Sequence, residues 1–290
     1  MNLGLRTKFN LVVLAAFVVG FAFAAFVGQR SFVASARDEV LQQARLVITA
    51  ANAVRSYTAD ELDALLPMEK ADKFVPQTVP AYAAQKSFKA VQTQFAGFVY
   101  REPALNPTNL SDRAQDWEAD IIGVFRNQPD KQELVVQRDT PVGPTLSLAR
   151  PITIHDEACL TCHSTPAAAP ASLTKTYGTA NGFGWKLNEA IGAQILSLPM
   201  EVPLKIAHDA YVGFLITLAE IFAVVFVILN LLLHYLVIAP VKRVSAVAEA
   251  VSLGEDVEPY VKPGKDEISA LSVAFNRMRE SLRHAMEMIK

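Results

Sequence analysis

The sequence predicts an α+β domain held between two membrane-spanning helices and followed by an all-helical coiled-coil bundle. Three observations carry this. Two long apolar runs, near residues 9–28 and 209–239, bracket the middle of the chain. Between them helical periodicity comes first and strand-like runs come later, the order of an α+β domain. Beyond the second run, apolar residues recur at alternating three- and four-residue steps, the seam of a coiled coil. The expected division is 1–8 cytoplasmic, 9–28 first transmembrane helix, 29–208 outer domain, 209–239 second transmembrane helix and 240–290 cytoplasmic bundle.

Composition agrees with membrane insertion. Of 290 residues, 51% are hydrophobic, which is high for a soluble chain of this size. The net charge of −2 argues against a general nucleic-acid binder, and the chain carries no nucleic-acid motif.

Residues 11–27 carry no charge or strongly polar side chain, and Phe9 and Asn10 bring the run near the ~20 residues that cross a bilayer. A cleaved signal peptide competes, because Ala34-Ser35-Ala36 fits a small-x-small cleavage site. Its distance past the apolar run and the length of that run favour an uncleaved helix. Residues 212–239 are apolar except for Thr217, Glu220, Asn230 and His234, and Pro240 is expected to end the span. Tyr211 and Tyr235 fall where interfacial aromatics belong. Arg6 and Lys8 precede the first span, and Lys242 and Arg243 follow the second. The positive-inside rule therefore puts both termini in the cytoplasm and residues 29–208 in the periplasm of a bacterial inner membrane. Glu220 reads either as a packing or signalling carboxylate or as one that snorkels outward.

In the outer segment, Val40, Leu41, Ala44, Val47, Ala51 and Val54 mark the apolar face of a helix over 38–66, ended by Pro67. An extended connector over 73–82 follows, then helix over 83–95, strand at Phe98-Val99-Tyr100, loop over 105–113 and helix over 114–126. Strands are predicted at 133–136, 145–149 and 190–198, with a turn at Gly143-Pro144.

Between the last two strands lies Cys159-Leu160-Thr161-Cys162-His163. Two thiols one turn apart with histidine next in line form the attachment pattern of a c-type haem, each thiol bonding a vinyl group and His163 offering its imidazole to the iron. Other readings are a thiol–disulfide pair, half a zinc site, or a structural disulfide. Zinc would need further ligands; these are the only cysteines, and His155 keeps a weaker metal reading open. The following Ser164-Thr165-Pro166-Ala167-Ala168-Ala169-Pro170 reads as a loop.

After the second span, Val244, Val247 and Val251 form one helical face, and Gly254-Glu255-Asp256 breaks it. A second helix repeats Ile268, Leu271, Phe275, Met278, Leu282, Ala285 and Ile289 at heptad spacing.

Residues 240–283 resemble the HAMP linker of bacterial transmembrane receptors. The proline after the membrane, the two amphipathic helices, Asp266-Glu267 opening the second helix and the ending Phe275-Asn276-Arg277-Met278 carry the likeness. Residues 35–205 resemble a family of periplasmic c-type-haem sensor domains, PAS-like in fold and long described as a domain of unknown function. The carrying residues are Val54-Arg55-Ser56-Tyr57-Thr58, Tyr100-Arg101-Glu102-Pro103-Ala104-Leu105-Asn106-Pro107-Thr108-Asn109, Trp117-Glu118-Ala119-Asp120-Ile121-Ile122, Cys159 to His163, and Asn181-Gly182-Phe183-Gly184-Trp185-Lys186.

The resemblance implies one haem c per chain, covalent on Cys159 and Cys162, with His163 as proximal iron ligand. The second axial ligand varies in the family; Tyr57, Met68, His155 and Met200 are the candidates here, and an open sixth site is an equal alternative. Arg55, Arg101, Arg113 and Arg150 are candidates for pairing with haem propionates. Trp117 and Phe183 read as core or haem-wall packing. The loop from Asn106 to Asn109 is expected to make local hydrogen bonds.

The expected function is a signalling receptor, not an enzyme, that senses redox state or a gas such as nitric oxide, carbon monoxide or oxygen. It would signal through the segment from 199 to 210 and the second span to HAMP. HAMP implies a homodimer, because one copy supplies two of four helices. The chain shows no kinase, cyclase or methyl-accepting segment. A shortened receptor, a stand-alone input subunit, and a partner for a separate cytoplasmic output protein (kinase, cyclase or chemotaxis component) all fit. The rivals are a membrane-anchored cytochrome for electron transfer and a disulfide oxidoreductase built on Cys159 and Cys162.

Overall fold

The structure is a computed structural model, and it describes residues 3–62, 65–66, 73–95, 97–141, 143–255 and 257–289. Pro67, Met68 and Asp256, and the side chain of Ile289, lie outside the described residues. The chain divides into two compact units, Arg30–Ala210 and Met1–Gln29 with Tyr211–Lys290.

In the first unit, alternation along two strands decides what lies on each sheet face. The strands are β1 (Val99–Arg101), β2 (Leu134–Thr140), β3 (Gly143–Thr153) and β4 (Ala190–Pro199). They form one antiparallel sheet of order β1-β4-β3-β2. Leu146 and Leu148 of β3 and Leu196 and Leu198 of β4 point to one face, where Val40, Leu41, Ala44, Ile48 and Ala51 cover them. Those five belong to α1 (Leu5–Tyr57), and their three- and four-residue steps supply the apolar stripe the sheet requires. Ala149, Ala193 and Ile195 point the other way, onto Ile121, Ile122 and Phe125 of α3 (Asp116–Asn127). A capping box between Gln115 and Glu118 starts α3. Helix α2 (Pro80–Gln94) adds Ala84 to the first face.

Several boundaries differ from the sequence reading. The helix predicted to reach residue 66 ends as α-helix at Tyr57 and continues as a π turn over Thr58–Leu62. The connector predicted over 73–82 contains a 3-10 turn at Pro76–Thr78, and α2 already starts at Pro80, whose fixed φ suits a first helical turn. The strands β2 and β3 run longer than expected, because they pair as a hairpin from Leu134↔Ala149 to Thr140↔Gly143. Gly143 is therefore already in the ladder, and the turn falls before it. Two short helices were not foreseen: α4 (Ala158–His163) and α5 (Ala171–Tyr177).

In the second unit, two helices are long and apolar enough to cross a membrane. The first 25 residues of α1 belong here. They pack on α6 (Glu201–Leu232) through a Phe17–Phe222 stack with centroids 4.7 Å apart and a Tyr211 hydroxyl donating to the Ala25 carbonyl at 3.1 Å. Pro240 does not end the second helix, contrary to expectation. A π turn at Leu233–Ile238 leads directly into α7 (Ala239–Ser252), with Pro240 in its first turn. The wider turn relieves both the missing amide and the ring clash that break a regular helix at proline. Helix α8 (Glu267–Ile289) is capped by Asp266, which accepts from the Ser269 amide at 2.7 Å and pairs with Lys262. Asn276 donates to the Tyr260 carbonyl at 2.8 Å and Arg279 to the Val257 carbonyl, which ties the connector to α8.

Candidate functional site

The site is built where β3 ends and the chain turns into α4. Cys159, Cys162 and His163 occupy this single short helix. The two cysteines are three positions apart, so both thiols lie on one side of less than two turns. Cys159 is exposed and Cys162 is half-buried. Partial desolvation of its inner flank, then the charge of Asp156, hold the Cys159 thiol above its ordinary value. That is the opposite of an activated thiolate.

His163 is held on three sides. Its Nδ1 lies 2.7 Å from the Gly182 carbonyl and 3.5 Å from the Thr108 hydroxyl. Trp185 stacks on the ring at 3.8 Å between centroids and 13° between planes. A carbonyl only accepts, so Nδ1 carries the proton and the lone pair sits on Nε2. Burial pushes the imidazole below its ordinary value, the Gly182 bond opposing, which keeps the ring neutral near pH 7. A neutral imidazole with its lone pair on Nε2 is the form that binds iron, and a backbone carbonyl on the other nitrogen is its usual orienting partner.

The Gly182 carbonyl is itself fixed. Asn106 accepts from the Gly182 amide at 3.2 Å and donates to the Phe183 carbonyl at 3.1 Å, and Arg113 donates to Asn181 at 3.1 Å. The loop bonds locally as expected, Asn109 accepting from the Ser111 amide at 3.2 Å, and Asn106 in addition clamps a segment far along the chain. Gly182 adopts φ +82, and a Cβ there would meet the Thr108 Oγ1 at 2.1 Å, so only glycine fits this junction. Sequence reasoning assigned no role to Trp185 or Thr108. The signal available was their place in two polar, glycine- and asparagine-rich loops bracketing the motif.

A cleft of about 440 Å³ lies where β3 meets the α1 face of the sheet; His155, just before α4, lines it, and Cys159, Cys162 and His163 do not. The same alternation that gives Leu146 and Leu148 under α1 continues to Arg150 and Ile152, and α1 continues to Asn52 and Arg55. Gln194, His155 and the carboxylate-bearing Glu133 also line the cleft. Arg55 pairs with Glu102, whose carboxylate also accepts from the Tyr100 hydroxyl at 2.6 Å. Gln194 donates to Asn52 at 2.7 Å and to the Tyr100 oxygen at 3.1 Å. Burial pushes the Glu102 carboxyl up, with Arg55 opposing. Arg150 and Arg45 share Glu133.

The other candidates separate. Of the four arginines, Arg55 and Arg150 line the cleft, whereas Arg101 pairs with Glu118 at 3.4 Å and Arg113 serves the Asn181 loop. Of the candidate distal ligands, His155 lines the cleft and Tyr57 is 53% exposed at the end of α1. Met200 is 4% exposed and packs in the α1-face core, so its thioether is committed to packing. Trp117 lies under the Arg138 guanidinium at 3.6 Å and against the α3-face core. Among the described residues no cluster of three or more His, Cys, Asp or Glu is gathered for a metal ion, so zinc has no third ligand here. Two thiols and an Nε2 lone pair on one short helix fit a covalently held haem.

The comparisons follow the same division of the chain. The HAMP domain family matches residues 232–284, and the crystal structure of the cyanobacterial haem protein Tll0287 is similar at 17% identity and a TM-score of 0.44, covering 56% of this chain and 95% of that one. No curated protein matches the chain in sequence. A Tll0287-like domain with HAMP and two helices long and apolar enough to cross a membrane is the arrangement of a transmembrane signalling receptor. The Tll0287-like family matches residues 33–199, more than half of the chain, and the chain therefore belongs to the Tll0287-like family.

Proposed function

We propose that this chain is a bacterial inner-membrane receptor whose periplasmic domain carries one haem c, bonded through Cys159 and Cys162 and ligated by His163. The observation that carries this reading is the His163 arrangement: Nδ1 bound to the Gly182 carbonyl, Nε2 left as ligand, and two thiols on the same short helix. Haem would supply a one-electron iron centre with an exchangeable sixth position. The protein's own part is to fix the imidazole, to offer Arg55 and Arg150 to the carboxylates of the group, and to bring His155 to the cleft wall. His155 or an open position is the proposed sixth site. Redox state or a small gas is the proposed signal, passed along residues 199–210 into the second helix and a dimeric HAMP bundle, and from there to a separate output protein.

Two rivals remain. The thiol–disulfide reading is disfavoured by the raised Cys159 thiol. A membrane-anchored cytochrome would use the same haem but would have no need of the HAMP segment. The deciding experiment is a visible spectrum of residues 29–208, co-expressed with c-type haem maturation machinery and recorded oxidised, reduced and reduced under carbon monoxide. Colour that survives acid–acetone extraction, and that is lost in Cys159→Ala/Cys162→Ala, supports the reading. Colourless protein with a titratable dithiol overturns it. A Soret band moved by carbon monoxide favours gas sensing; an unmoved band in a freely cycling protein favours redox sensing.

A further inference from the structure

Helix α6 has two opposite faces. One packs on α1: Tyr211, Leu215, Leu218, Phe222 and Phe226 are half-buried there. The other is a stripe of Gly213, Thr217, Glu220, Val224, Val227 and Leu231, at 4-3-4-3-4 steps, and all six are exposed. A two-residue offset turns this stripe about 200° from the α1 face.

Glu220 is the odd member of that stripe. It lies nine residues inside Tyr211, about 14 Å along the helix axis, well below the interface. The neighbouring polar groups satisfy themselves: Thr217 donates to the Gly213 carbonyl at 3.0 Å and Asn230 to the Phe226 carbonyl at 3.0 Å. A carboxylate has no such recourse, because it only accepts and the helix amides around it are already used. Lipid chains offer nothing to it, so a carboxylate at this depth calls for another protein surface.

Three features identify that surface. Leu271, Met278 and Leu282 of α8, three members of its heptad seam, are 49%, 53% and 51% exposed, so within this chain half of their surface is left for a coiled-coil partner. The chain runs through the π turn from α6 into α7 without a loop, so a second copy that pairs through the helical bundle brings its own α6 alongside this one. At a two-fold axis a residue meets its own copy, and a carboxyl group is self-complementary there because its acid form both donates and accepts.

We propose that the Glu220 face of α6 is an interface with a second copy of this chain inside the membrane, the two Glu220 side chains meeting as a hydrogen-bonded carboxyl pair. The inference rests on α6 crossing the bilayer, which resistance to alkaline carbonate extraction tests separately. The full chain carrying Cys159→Ala and Cys162→Ala receives Thr217→Cys, Leu218→Cys, Glu220→Cys, Phe222→Cys or Val224→Cys, one at a time, and is oxidised in membranes with copper phenanthroline. Disulfide dimers at 217, 220 and 224 should exceed those at 218 and 222 by about fivefold or more. A maximum at 218 and 222, equal yields throughout, or no dimer at any position overturns the proposal, and the last outcome gives the face to a different protein. In the chain with its native cysteines, counting subunits in nanodiscs should show Glu220→Leu weakening association by about threefold or more while Glu220→Gln stays near the parent. Association of Glu220→Leu equal to the parent overturns the carboxyl pair.

Discussion

The loop that orients His163 provides an internal comparison between two glycines. Gly182 and Gly184 have nearly the same backbone, φ +82 and +79, so alanine at either incurs the left-handed penalty of about 1–2 kcal/mol. Their surroundings differ. No atom lies within 4 Å of a Cβ built on Gly184, whereas one on Gly182 meets Thr108 at Oγ1 (2.1 Å), Cα (2.7 Å) and Cβ (2.9 Å). Rotation of the threonine side chain cannot move its Cα. The extra crowding should cost about 1–3 kcal/mol, as other overpacked sites do, so Gly182→Ala should lose about 2–5 kcal/mol against about 1–2 for Gly184→Ala.

Urea unfolding of residues 30–210 measures both losses, and nitrogen chemical shifts of His163 report which ring nitrogen holds the proton. Gly182→Ala should also disturb that tautomer, because the carbonyl that fixes it belongs to the displaced residue. Thr108→Gly in the Gly182→Ala background should restore part of the loss by removing the Oγ1 and Cβ contacts. Equal losses for the two alanine variants, or an undisturbed His163 tautomer in Gly182→Ala, would refute the reasoning.

Other perturbations test the remaining contacts. Asn106→Ala removes both hydrogen bonds to the Gly182–Phe183 segment and should destabilise the domain by about 1–3 kcal/mol; a loss indistinguishable from that of an exposed Asn→Ala control counts against the clamp. Arg55→Ala strands the buried Glu102 carboxylate and should cost about 3–5 kcal/mol, with Arg55→Ala/Glu102→Gln recovering much of it. The absence of that recovery would show that Arg55 acts by packing alone. Glu133 is held below its ordinary value, first by the hydrogen bond from Arg45. Its folded value lies under its unfolded one, so its contribution is complete above about pH 4.5 and disappears as pH falls through the folded value. Urea midpoints of the parent and Glu133→Gln should therefore differ at neutral pH and converge in acid; parallel curves would exclude the linkage.

Features that repeat along the chain were legible from it. The Cys-x-x-Cys-His spacing, the heptad of α8 and the apolar runs depend on spacing over a few residues, which the order of residues states directly. Strand β4 was found nearly to the residue because every position from Ala190 to Leu196 is buried, giving an apolar run with one glutamine. The parts missed depend on contacts between distant residues. Trp185 on His163 and Asn106 on Gly182 form only when two loops meet, and neither loop has a period. Met200 was a reasonable ligand by chemistry, but its position directly after β4 places it in the core. Pro240 was read by its usual effect on a regular helix; the six-residue π turn before it removes that effect.

The cleft also bears on how a signal could leave the sensor. Gln194 lies on β4, the strand whose end leads through Met200 into α6, and its side chain joins Asn52 on α1 to Tyr100 on β1. Tyr100 joins Glu102, and Glu102 joins Arg55 at the cleft wall. Under the proposed function a change of charge at the cleft would act on Arg55, which is tied to a buried carboxylate, and the response would run inward along this network. Gln194→Leu keeps the volume and removes both hydrogen bonds. It should leave covalent pigment and the oxidised spectrum intact, cost about 1–3 kcal/mol of stability, and abolish any redox-dependent change in amide exchange along residues 195–210. If that exchange change survives in Gln194→Leu, the coupling runs elsewhere. If the pigment is lost as well, Gln194 belongs to the binding of the group itself, and its contacts to Asn52 and Tyr100 shape the cleft and do not transmit from it.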